Sequence, residues 1–155
     1  MHDGASAEPR EIAEHHVLSI AHPATPQAGE FLRRAVVDYA NAAGGAASAL
    51  ASVQLAVSEA VTNAVVHGYD GPDAAGTIAV DARVTDDGRC LIVTVSDDGK
   101  GMGPRHDSPG LGLGLPLIAT LTASLEIGSQ GAGSALRMTF DLDGGANGTV
   151  PQEAA

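Results

Sequence analysis

Two runs, TIAVDARV (Thr77–Val84) and CLIVTVSD (Cys90–Asp97), are rich in β-branched residues and flank Asp86-Asp87-Gly88. Two β-branched runs joined by an aspartate-glycine turn predict a β-hairpin. A hairpin with one apolar side is marginal alone, so other elements must cover or extend it. What lies on either side of it decides the fold class.

Upstream, His16–Ala21 reads as a short first strand. Thr25-Pro26 then opens a helix, with Thr25 expected as its N-cap, and Gly44-Gly45 closes it. Leu50, Val53, Val57, Ala60, Val61, Ala64 and Val65 recur at helical period, so a second helix follows, ended by Gly68. Downstream of the hairpin come a glycine-rich loop, a short helix with Pro116 in its first turn, and strands SLEIGSQ and SALRMTFDL around Gly131–Gly133. Helices and hairpins are segregated, which predicts an α+β fold: a largely antiparallel sheet with helices on one face. The expected division is a flexible arm at 1–14, one domain at 15–142 and a disordered tail at 143–155.

Such a core must be aliphatic, because aromatics make up 3% of the 155 residues and tryptophan is absent. The net charge of −11 repels nucleic acid, and no basic stripe offsets it. Anionic membrane surfaces are disfavoured on the same ground. A single cysteine, Cys90, excludes an intramolecular disulfide and suits a reducing compartment. Met1–His16 lacks an apolar signal core, and no apolar run is read as bilayer-spanning. A cytoplasmic location and a small-ligand or protein partner are expected.

Four stretches carry chemistry. In SEAVTNAVVHGYD, Glu59, Asn63 and His67 are spaced four apart and share one helix side. They offer a carboxylate, an amide oxygen suited to a hard divalent cation, and an imidazole. The wet side of an ordinary amphipathic helix has the same spacing, and a plain helix-end histidine accounts for His67. In VSDDGKGMG, Asp97 ends an apolar strand beside Gly99 and Gly101. Its carboxylate can accept from a ligand amine such as that of adenine, although a strand-to-turn exit also reads this way. In GLGLGLPLI, Gly110, Gly112 and Gly114 precede a helix, where exposed N–H groups can cradle phosphate. In GAGSAL, Gly133 fits a hairpin turn, and Ser134 can bond a base or a water.

In this order the four stretches resemble the N box and three glycine boxes of the GHKL ATPases, the superfamily of gyrase, the heat-shock chaperone ATPase, histidine kinases and MutL. The resemblance spans roughly His16–Leu142. SEAVTNAVVHGY and the chain length look most like the bacterial anti-sigma-factor serine kinases. The resemblance implies a Bergerat-type two-layer sandwich with a short ATP lid between Gly101 and Gly110. It implies ATP and Mg²⁺ as cofactors, with Asn63 on the metal and Asp97 on the adenine amine, helped by Ser134. Gly99 and Gly101 would pass close to the base. Gly110, Gly112, Gly114 and Leu115 would flank the phosphates. Lys100 and Arg105 are the lid's cations and natural phosphate partners. Glu59 would be the catalytic base. Implied partners are a sigma factor, a STAS-domain anti-anti-sigma protein and a second copy in a homodimer. A nucleotide-gated binding switch without phosphotransfer and a detached histidine-kinase catalytic domain are the alternatives.

Overall fold

The computed structural model describes residues 17–68, 76–99, 114–131 and 133–145. Its elements follow the expected order: β1 (Leu18–Pro23), α1 (Ala28–Ala42), α2 (Ala47–Gly68), β2 (Thr77–Val84), β3 (Cys90–Asp97), α3 (Gly114–Leu121), β4 (Ser124–Gln130) and β5 (Gly133–Asp141). The strands form one sheet in the order β1-β2-β3-β5-β4, and each neighbouring pair is antiparallel.

Register explains which side is buried. Ile20, Val80, Val95, Leu136 and Ile127 lie directly opposite one another across the sheet, and so do Leu18, Ala82, Val93, Met138 and Leu125. Directly paired residues share a face, so these two rows make one apolar side. Val80, Val93 and Met138 are fully buried there. Leu32 and Val36 of α1 and Val53, Val57 and Val61 of α2 join the same core. All three helices thus pack on one face. The other face carries Asp81, Thr94, Arg137 and Glu126 in a row, with an Arg137–Glu126 ion pair of 3.8 Å.

Three details differ from the sequence reading. The first strand lies two residues later than expected, at Leu18–Pro23. Thr25 is not the N-cap of α1. Its carbonyl accepts from Ala28 N–H in a preceding turn, and Gln27 occupies the cap without a side-chain bond. Stretch 47–66 of α2 is in fact long and apolar enough to cross a bilayer by length and composition. Here it is a core helix: Val53, Ala56, Val57 and Val61 are wholly buried within the domain. The expected arm at 1–14 lies outside the described residues. Of the expected tail, Asp143–Gly145 is described and turns back from β5, with Gly144 N–H on the Asp141 carbonyl.

Chain direction decides which elements end together. Ala46 N–H donates to the Leu142 carbonyl at 2.8 Å, so α2 starts beside the end of β5. That end pairs with the start of β3 (Cys90 with Asp141). Helix α2 and strand β3 therefore run the same way. The last turns of α2, with Asn63, reach the end of the sheet where β3 delivers Asp97.

Among the described residues Phe140 is the largest fully buried side chain. Phe140→Ala is expected to cost about 3–5 kcal/mol of unfolding free energy in a denaturant titration.

Candidate functional site

Asp97 occupies the last position of β3 on the inward face, in the parity of Leu91, Val93 and Val95. It is 7% exposed, and Ser134 is 8% exposed. A buried carboxyl group must be supplied with donors, or its desolvation goes uncompensated. Both oxygens are served: Ser134 Oγ donates to Oδ2 at 2.6 Å, and Gly99 N–H donates to Oδ1 at 2.9 Å. The first donor comes from the start of β5, the second from the turn after β3. The side chain is thereby held in one orientation at the rim of the core.

This arrangement dictates Gly133. A Cβ there would overlap the Asp97 carbonyl oxygen and press on the Asp98 backbone. Only glycine lets β5 start so close to the exit of β3. The sequence alone allowed Gly133 to be an ordinary hairpin glycine. The structure assigns it a close crossing.

On α2, Glu59 and Asn63 are both half-buried. Asn63 faces the first residue of α3: a Cβ on Gly114 would lie 2.7 Å from Asn63 Nδ2 and 3.0 Å from Oδ1. The two residues are brought together by α2–α3 packing, and a side chain at position 114 would displace the amide. Leu115, next along α3, packs against the core. His67 lies in the last turn of α2, but its side chain is outside the described residues. So are Lys100, Gly101, Arg105, Gly110 and Gly112.

The donor set fits a divalent cation brought in with a nucleotide. Among the described residues no group of three or more His, Cys, Asp or Glu could hold a metal alone. Asn63 offers one hard oxygen, and Mg²⁺ commonly takes few ligands from protein and the rest from phosphate and water.

Sequence reasoning did not single out Asp98. Its Oδ1 accepts from Thr77 N–H at 2.9 Å, tying the start of β2 to the turn after β3. The doubled aspartate of VSDDG was the available signal. Its partner, 21 residues away in sequence, emerges only with the β2–β3 register.

The fold, helices on one face of an antiparallel sheet with an inward aspartate at a strand end, is the GHKL ATPase architecture. Residues 22–140 match the histidine kinase-like ATPase domain family. An anti-sigma F factor of Thermoanaerobacter sp. (strain X514) is 32% identical over 121 residues, covering 70% of this chain and 82% of that protein. Another, of Heyndrickxia coagulans, is 38% identical over 89 residues, which span 50% of this chain and 58% of its relative. A crystal structure of RsbU and RsbW domains from Mycobacterium tuberculosis superposes with a TM-score of 0.63 at 27% identity. It covers 80% of this chain and 32% of that one. The chain belongs to the histidine kinase-like ATPase domain family and, within it, to the anti-sigma-factor group. Membership implies ATP binding.

Ser134→Ala is expected to cost roughly 1–3 kcal/mol, because a buried carboxyl group loses a donor. Ser134→Thr, which keeps the hydroxyl, should lose much less. Gly133→Ala should fail more severely than either, as its methyl meets backbone. Denaturant unfolding with parallel ATP titration checks all three.

Proposed function

We propose that the protein is an ATP- and Mg²⁺-dependent serine kinase and anti-sigma factor. It phosphorylates a STAS-type anti-anti-sigma partner and sequesters a sigma factor in the cytoplasm. The observation that carries this reading is the buried Asp97 carboxyl group, fixed by Ser134 and Gly99 at the same end of the domain as Asn63. The anti-sigma F relatives and the RsbW-containing structure support it.

In this reading Asp97 accepts from the exocyclic amine of adenine, and Gly99 leaves room for the base. Asn63 would hold Mg²⁺, which neutralises charge on the triphosphate when bound. Gly114 and Leu115 set the start of α3 beside the phosphates, with Gly110 and Gly112 before them. Lys100, Gly101 and Arg105 belong to the lid segment. Glu59, one turn before Asn63 on the same helix side, takes the proton from a substrate serine hydroxyl. The serine oxygen bonds to the γ-phosphorus, the bond to the β,γ-bridging oxygen breaks, and ADP leaves. The product is a phosphoserine with two added negative charges at most, enough to weaken its fit to so acidic a kinase. The same net charge of −11 complements basic surfaces on a sigma factor. The active form in this reading is a homodimer.

Incubation with γ-labelled ATP, Mg²⁺ and a cognate STAS protein tests transfer. Label on a serine of the partner is expected. ATP binding without label would instead favour a nucleotide-gated switch, and an acid-labile phosphohistidine would favour a histidine-kinase module. Glu59→Gln should retain nucleotide and lose transfer by about 10²–10⁴-fold. Asn63→Ala should lose the Mg²⁺-dependent part of ATP binding, measured by calorimetry with and without chelator.

A further inference from the structure

We infer that Asp98 is a positioning residue for base recognition: by capping the start of β2 it holds the turn that aims the Asp97 carboxyl group. This deepens the proposed function and rests on it.

The β2–β3 ladder ends with Ile78 opposite Asp97. One residue further, β3 must leave the sheet, because Gly133 of β5 crosses the Asp97 backbone there. At this point the Asp98 side chain takes over the role of the ladder. Its Oδ1 accepts from Thr77 N–H at 2.9 Å. Thr77 is itself anchored on the other side, since it pairs with Pro23 of β1, and the adjacent Gly76 carbonyl accepts from Ala24 N–H at 2.9 Å. The turn is therefore pinned to a three-strand frame.

What that pin controls is the next bond. Gly99 N–H must point back at Asp97 Oδ1, at 2.9 Å, while Ser134 occupies Oδ2. Asp98 is the residue between Asp97 and Gly99, so its anchoring sets the direction of the Gly99 N–H. Without the anchor, Asp97 keeps Ser134 but its second oxygen loses a fixed donor. The carboxyl group can then rotate away from the plane in which it meets a purine edge. Adenine suffers most, because it presents an amine to that carboxyl group where guanine presents a carbonyl. The residue acts through Asp97 and touches no reacting atom, so affinity and base choice should change while the chemical step does not.

The test uses the full-length protein and measures Kd for ATP and for GTP by calorimetry with Mg²⁺, alongside thermal unfolding. Asp98→Ala is expected to weaken ATP roughly fivefold, the scale of one hydrogen bond, here a solvent-exposed one, with GTP little changed. The ATP preference should shrink by the same factor, and kcat at saturating ATP should hold while KM rises. Asp98→Asn, whose amide oxygen can still accept from Thr77, should recover most of the affinity. Thr85→Val removes hydroxyl bonds to Asp87 and Cys90 at the opposite end of the hairpin. It should lower the melting temperature and leave the nucleotide ratio alone. An Asp98→Ala protein with wild-type Kd values overturns the inference. So does equal weakening of both nucleotides, or an Asp98→Asn protein as poor as Asp98→Ala. Should the wild-type protein bind no ATP, the proposed function itself falls, a result distinct from any of these.

Discussion

Asp97 continues the inward row of Leu91, Val93 and Val95 but ends it in a carboxyl group that is 7% exposed. Removing such a group from water costs several kcal/mol unless donors replace the lost hydration. The surrounding chain is arranged to supply them. Ser134 must be the second residue of β5, Gly133 must lack a side chain, and the backbone after Asp98 must turn so that Gly99 N–H points back. Moving any of these elements would strand a buried polar group, so the site and the end of the sheet are specified together.

That requirement organises the layer above the sheet. Stretch 47–66 of helix α2 is apolar enough to look like a membrane segment, yet Val53, Ala56, Val57, Ala60 and Val61 turn one side of it into the domain core. With almost no aromatic residues, the core is packed from valine, alanine, leucine and isoleucine, plus Phe140 and Met138. Small side chains let α2 and α3 lie close enough that Asn63 meets Gly114 directly. An amide at a helix–helix contact is thus a consequence of the same composition that builds the core.

The outer sheet face follows a different rule. It carries polar side chains, among them Arg137, which pairs across strands with Glu126. The Asp86–Gly88 turn is held by Thr85, whose hydroxyl bonds Asp87 and holds that carboxyl below its usual range, helped by the Arg89 N–H. These contacts keep the hairpin in register at the end remote from Asp97.

Much of this was legible in the sequence, because it is governed by local rules. Runs rich in β-branched residues on either side of Asp86-Asp87-Gly88 marked β2 and β3, helical period marked the buried side of α2, and glycine-rich breaks separated the elements. The start of α1 was misplaced because Thr25 bonds through its backbone, a choice that propensity does not report. The chain order of Glu59, Asn63, Asp97, Gly114 and Ser134 was readable; the approach of Asn63 to Gly114 was not, because it depends on how α2 and α3 pack. Alternation says that Asp97 and Ser96 face opposite ways; both are buried, and only the helices, by covering one face, show that Asp97 is the one turned toward the core. Ser134 reaches Asp97 across 37 residues through strand pairing, and Asp98 reaches Thr77 across 21. Local sequence determined the elements and their sidedness. Tertiary packing decided which polar groups were removed from water together, because desolvation depends on what covers a residue and not on its neighbours in the chain.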